Sequence, residues 1–195
     1  MKKIRARVGG ETPIIWTVFS PLMVLPFLVR GGKPQAFALL RSNPAAVERG
    51  LAAIAETLTA YARACLAAGA DGLFYATNMA TRALTTVEEC RRFQRPFDRA
   101  ILSAVDGAPF NLLHVCGEDV LFDEFVDYPV TAFSWATVPG NPSLKDGNQR
   151  TGHAVVGGLP AKPSIASMTP DTLVTRAKAA IDEMGGRSLL LGPDC

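Results

Sequence analysis

The chain has 195 residues, 48% of them hydrophobic and 19% charged, with a formal net charge of +2. That composition belongs to a globular chain able to bury a core, and it excludes a disordered or fibrous one. The small net charge gives no bulk attraction to nucleic acid or to an anionic membrane, so neither is expected as a partner.

Cys65, Cys90, Cys116 and Cys195 are irregularly spaced. Reduced thiols in a cytoplasmic protein are expected rather than a disulfide scaffold. MKKIRAR followed by Ile14–Val29 imitates a signal peptide, but Gly9-Gly10-Glu11-Thr12-Pro13 separates the two parts, and Pro21 and Pro26 break the apolar run. The run is also short of the ~20 residues that span a bilayer. One domain over 1–195 is expected.

Pro13–Ser20 reads as a strand because IIWTVF is β-branched and aromatic. A loop or short helix follows until Gly31-Gly32, a stop signal. Asn43-Pro44 opens a helix over 44–68, with Asn43 as cap, Pro44 as first helical residue and an apolar stripe of Val47, Leu51, Ile54, Leu58, Tyr61 and Leu66. Gly69 ends it. Gly72–Ala76 is a second strand and Thr77–Thr85 a loop. Thr86–Val105 is a helix with a break before Pro96. Phe110–Cys116 is the third strand, Asp119–Val126 a short helix and Ala132–Ala136 the fourth strand. Pro139–Gly152 reads as a polar loop, and Ala154–Gly158 as the fifth strand. A helix runs from Thr169-Pro170-Asp171 to Met184, and Ser188–Leu191 is the sixth strand.

Strands alternate with helices, and most strands are apolar without alternation, the mark of parallel strands covered on both faces. Ligands in such folds bind at the carboxyl ends of the strands. Asn111–Gly117 (NLLHVCG) puts His114 and Cys116 there, two residues apart and hence on one face. Both are zinc ligands by type. A buried strand also carries Cys as a small hydrophobe and His as a hydrogen-bonded group, so the pair alone leaves both readings open. The last strand too runs into a cysteine, Cys195, which would make a third ligand. Tyr75, Asn78, Trp135 and Asp194 share the strand-end position and are candidates for lining a pocket, although Tyr75 and Trp135, as strand aromatics, equally read as packing. Asn141 and Lys145 lie in a loop on the same side and could meet an anionic substrate, or be solvated. Cys65 and Cys90 fall within helices and read as core residues. His153 sits at the amino end of a strand, away from the chemistry.

GADGLFYATN, HVCGED, AFSWA…NPSL…GHAVVGGLP and LLLGPDC, in this order, resemble the C-terminal part of the uroporphyrinogen decarboxylase superfamily. The resemblance implies an α/β fold, an incomplete (β/α)8 TIM barrel of about six parallel strands with the first two βα units missing. On that reading the chain is a fragment or truncated product. The first and sixth strands would then be unpaired edges, prone to self-association as a homo-oligomer.

The superfamily includes the haem-pathway decarboxylase and zinc- and corrinoid-dependent methyltransferases that alkylate thiols such as coenzyme M. The decarboxylases end their last strand in Leu-Gly-His-Gly, whereas here Leu191-Gly192-Pro193-Asp194 has Pro193 in the His position. The methyltransferases carry His-x-Cys on one strand and a Cys after the last, as His114, Cys116 and Cys195 do. The resemblance therefore implies a zinc site of those three residues. It implies a small-molecule thiol as substrate, and a methyl group delivered by a corrinoid on a separate protein. Glu118 and Asp194 are candidate partners to His114 or fourth ligands, with Glu118 the candidate catalytic carboxylate, and both equally read as solvated loop residues. Tyr61 lies at the offset of the decarboxylases' active-site tyrosine, which keeps porphyrinogen decarboxylation as the alternative activity. An inactive fragment with the superfamily's fold is the other alternative.

Overall fold

The computed structural model describes residues 1–160 and 165–195. Six strands form one all-parallel sheet in chain order: β1 (Ile15–Phe19), β2 (Gly72–Thr77), β3 (Leu112–Val115), β4 (Ala132–Trp135), β5 (Ala154–Leu159) and β6 (Leu189–Pro193). The sequential parallel order is that of a (β/α)8 barrel, of which six strands are present. β1 and β6 each pair on one side within this sheet. Phe19 and Leu190 are correspondingly exposed.

The connecting helices are α1 (Lys2–Val8), α2 (Pro21–Leu28), α3 (Gly32–Ser42), α4 (Pro44–Ala67), α5 (Val87–Phe93), α6 (Arg95–Ser103), α7 (Leu144–Thr151) and α8 (Pro170–Glu183). Among the described residues no helix is long and apolar enough to cross a membrane. α4 starts as its sequence dictates: Asn43 accepts from the Ala46 amide and Pro44 opens the helix. The helix over 86–105 divides at Gln94, because Pro96 has no N–H to donate to the Arg92 carbonyl and its ring would clash there.

α5 begins with a reciprocal capping box, Thr86 accepting from the Glu89 amide while the Glu89 carboxylate accepts from the Thr86 amide. Thr86→Ala is expected to cost about 1 kcal/mol and to lower Tm by roughly 2–4 °C in a domain of this size. A thermal melt indistinguishable from wild type would show that Glu89 alone holds the helix start.

One element was not foreseen, and three local expectations are corrected. Residues 2–8 form a helix, whose Arg5 reaches across to Asp71 and to the Gly69 carbonyl. Gly31-Gly32 opens α3 rather than ending structure, and α3 buries Ala36, Phe37 and Leu40 in a core shared with Leu22 and Leu25 of α2 and Val47 and Leu51 of α4. The short helix foreseen at Asp119–Val126 is a single 3-10 turn at Phe122–Glu124. The loop foreseen at Pro139–Gly152 contains α7, which has almost no apolar stripe to betray it. α7 is set by the Ser143 cap, and by Gly147, where a Cβ would fall 2.2 Å from the Trp135 ring.

The larger core lies between the sheet and its helices. Val18, Leu73, Tyr75, Leu113, Val115, Phe133, Trp135 and Val155 face it from the strands. Their alternating neighbours, including Phe74, Ala76, His114 and Ser134, therefore face the other, concave side. The registers are Ala76↔His114↔Ser134 on one side and Tyr75↔Leu113↔Phe133 on the other.

Candidate metal centre

β3 and β6 are three strand positions apart, which in a flat sheet would separate them by ~14 Å. Yet the Cys116 and Cys195 Sγ atoms lie 3.0 Å apart. Only strong curvature of the sheet toward its concave side brings them together. His114 joins them: one ligand atom each from His114, Cys116 and Cys195 lies within 4.8 Å of the others. In tetrahedral zinc coordination, Zn–S bonds of ~2.3 Å set two sulfurs ~3.8 Å apart. The two sulfurs are thus slightly closer than an ion would hold them, and a small side-chain rotation fits the group.

The imidazole is held from two directions. Its ring stacks on Phe74 at 5.3 Å between centroids. Its Nδ1 lies 3.1 Å from Ser134 Oγ, and that hydroxyl donates to the Asp194 carbonyl at 3.4 Å. With its proton committed there, Ser134 accepts from Nδ1–H, which fixes the tautomer and leaves the Nε2 lone pair for an electrophile. Burial lowers the His114 pKa below its ordinary value, opposed by the nearby Asp194 charge. The neutral, ligating form is therefore favoured at neutral pH.

Asp194 is buried and fixes the end of β6. Its carboxylate accepts from the Thr137 amide (3.0 Å) and hydroxyl (2.9 Å), and its own amide donates to the Leu159 carbonyl. Cys195 follows directly. On the other side the Cys116 amide donates to the Thr77 carbonyl. Gly117 then turns the chain at φ 129, where a Cβ would meet Thr81 at 2.6 Å. Asn141 braces both loops, donating to the Gly117 and Ala136 carbonyls and accepting from the Val120 amide. A cavity of about 80 Å³ opens over the site, lined by Cys116, Glu118, Ala136, Val138, Asp194 and Cys195 among others. A larger groove of about 370 Å³ lies between α7 and α8, with neither His nor Cys in its wall.

The other sequence-derived candidates divide. Glu118 is exposed and on the cavity wall. Asn78 directly follows Thr77, beside Cys116, and its buried Oδ1 has no hydrogen-bond partner among the described residues. Tyr75 and Trp135 are corrected: each is in register with a neighbour of His114, so the two-residue alternation turns it to the helix side. There Tyr75 donates to Asp98 and Trp135 to the Pro142 carbonyl. Tyr61 is corrected too. It lies on the helix layer, half exposed, accepting from Trp16 Nε1. Asn141 is spent on the loop brace, and Lys145 lies in the first turn of α7 with its amide donating to the Glu183 carboxylate. Ser134 and Thr137 were not foreseen. The face parity of AFSWA, once anchored by His114, is the signal that marks Ser134.

The sequence pattern of the uroporphyrinogen decarboxylase (URO-D) family matches residues 1–195. A methylated-thiol–coenzyme M methyltransferase of Methanosarcina mazei is 28% identical over 141 residues, covering 70% of this chain and 36% of that protein. A uroporphyrinogen decarboxylase of Sorangium cellulosum is 26% identical over 197 residues, covering 96% of this chain and 54% of that protein. Among solved structures, a methyltransferase from Methanosarcina mazei covers 100% of this chain with a TM-score of 0.85 at 25% identity, over 56% of its own length. The chain thus spans about half, or less, of the length of these proteins. Six parallel strands in barrel order and a match along the whole sequence lead to one assignment: the chain belongs to the uroporphyrinogen decarboxylase family.

Proposed function

We propose that the chain carries the zinc site of a thiol methyltransferase, in which a small-molecule thiol receives a methyl group from a corrinoid on a separate protein. The convergence of His114, Cys116 and Cys195 within 4.8 Å carries this reading. His114 Nε2 and the two sulfurs would hold the ion, leaving one tetrahedral position for the substrate sulfur. Bound there, zinc supplies the Lewis acidity that keeps a thiol deprotonated and nucleophilic at neutral pH. The chain's own residues do the rest. Ser134 orients the imidazole, Asp194 and Thr137 fix Cys195, and exposed Glu118 takes the proton that the incoming thiol gives up. Asn78, with its orphaned carbonyl oxygen beside Cys116, accepts a hydrogen bond from the substrate.

Similarity over 96% of the chain to the decarboxylase of Sorangium cellulosum favours porphyrinogen decarboxylation as the second reading. That reading gives no role to the three converging ligands. Metal analysis after dialysis against zinc separates the two, together with an assay of thiol methylation from methylcobalamin. About one zinc per chain and methylated thiol support the proposal. Absence of retained zinc, with decarboxylation of a porphyrinogen, overturns it.

Ser134→Ala removes the acceptor of Nδ1–H while leaving all three ligands. Zinc affinity, measured by chelator competition, is expected to fall ~10–100-fold. An unchanged affinity would mean that Phe74 stacking alone orients the ring.

A further inference from the structure

We propose that Cys116 and Cys195 are a redox modification site: a disulfide joining β3 to β6, closed by hydrogen peroxide and reopened by a thiol reductant. The observation is the 3.0 Å Sγ–Sγ contact between residues 79 apart in sequence. A disulfide needs ~2.05 Å, so closing it asks for an inward movement of about 1 Å, within reach of side-chain rotation. The backbones that carry both sulfurs are already fixed, Cys116 by its amide on Thr77 and Cys195 by the hydrogen-bonded Asp194 before it.

Access separates this pair from the other two cysteines. Cys195 is exposed, Cys116 half-buried, and both line the same cavity. Cys65 and Cys90 are buried, and burial pushes the Cys90 thiol up to about 12. Oxidation selects accessible sulfurs, and an adjacent second thiol traps the first oxidation product before it goes further. Exposed Cys195 is the sulfur a peroxide meets first, and Cys116 is its resolving partner.

The chemistry balances with peroxide as the only co-reactant. The Cys195 thiolate attacks one peroxide oxygen and the O–O bond breaks. The departing hydroxide takes a proton to become water, leaving a sulfenic acid. The Cys116 thiolate then attacks that sulfur. The S–O bond breaks, the S–S bond forms, and the second hydroxide leaves as water. Two thiols and one peroxide give one disulfide and two waters, the sulfur pair losing two electrons. A disulfide sulfur is no longer a thiolate ligand, so oxidation and metal binding exclude each other. That consequence rests on the zinc reading, whereas formation of the disulfide does not.

The test treats the full chain, stripped of metal, with one equivalent of hydrogen peroxide. Thiols are counted after denaturation and the digest is mapped by mass spectrometry. Accessible thiols are expected to fall from the four in the sequence to two, with a Cys116–Cys195 linked peptide, monomeric chain, and full recovery on reduction. Sulfinic or sulfonic acid at Cys195, a disulfide between two chains, or four surviving thiols would overturn the proposal. A parallel arm contains free zinc at ~100 times its Kd, which by mass action should slow the oxidation roughly 100-fold. If the disulfide forms at the same rate with and without zinc, the metal reading falls and the disulfide site stands.

Discussion

Asp98→Ala is expected to lower the stability of the chain by about 3–5 kcal/mol. Asp98 is 0% exposed on α6. One carboxylate oxygen accepts from Tyr75 of β2 at 2.7 Å and the other from Tyr128 at 3.1 Å. Both phenols are buried, and burial holds both well above their ordinary pKa, so they remain O–H donors. Truncation strands two buried donors, at ~1–3 kcal/mol each, and leaves a small cavity. Tm should fall by about 10 °C, at roughly 2–4 °C per kcal/mol for this size. Asp98→Asn keeps an acceptor for Tyr75 and should cost only about 1–2 kcal/mol. A Tm within ~2 °C of wild type for the alanine variant would mean that water replaces the carboxylate.

The same residue gives stability a pH dependence. Burial raises the Asp98 pKa from 3.8 to about 7, against the opposing hydrogen bonds from Tyr75, Gln94 and Tyr128. The folded chain then holds this proton over a window where the unfolded chain has released it. Stability from this group is therefore greatest at the acidic end and falls as pH rises between about 4 and about 7. Denaturant unfolding at several pH values across that window reads the slope. Asp98→Asn, which cannot titrate, should flatten it, and an unchanged slope in that variant would assign the pH dependence to other groups.

The strands and their order were legible because their apolar runs are short, β-branched and separated by cap and turn residues that act locally. Ser42-Asn43-Pro44 and Thr169-Pro170 announce their helices for the same reason. α7 was not legible, since SLKDGNQRT has a single large apolar residue and is held by tertiary contact with Trp135. The convergence of His114, Cys116 and Cys195 was legible from residue type and strand-end position. What strand ends alone cannot give is the face. Tyr75 and Trp135 are at the carboxyl ends of strands, as His114 is, but alternation turns them toward the helices, where they build the core. His114 serves as the reference for parity: counting from it through the parallel register marks Ser134 as inward and Trp135 as outward. Asp194 was noticed for its strand-end position and its carboxylate, not for what holds it. Its grip on Thr137 depends on β4 and β6 converging beyond their last paired residues, which no local pattern encodes.

Cys116→Ala should abolish zinc binding at concentrations that saturate the wild-type chain, while leaving the metal-free fold nearly as stable. Structural zinc sites are worth roughly 10–16 kcal/mol over four ligands. One thiolate is therefore worth roughly 3–4 kcal/mol, a loss of several hundred-fold in affinity. The fold loses little, because Cys116 follows β3 at the half-exposed concave end and belongs to neither core cluster. Zinc at ~100 times its Kd should stabilise the wild-type chain by about 2.7 kcal/mol, and the variant not at all. Cys90→Ala, a fully buried core thiol on α5, should show the opposite pattern, a lower Tm without zinc and an undiminished rise with it. Melting curves of both variants with and without zinc make the comparison. Should Cys116→Ala lower the metal-free Tm as Cys90→Ala does and still gain stability from zinc, Cys116 is a packing residue and the proposed metal centre is wrong.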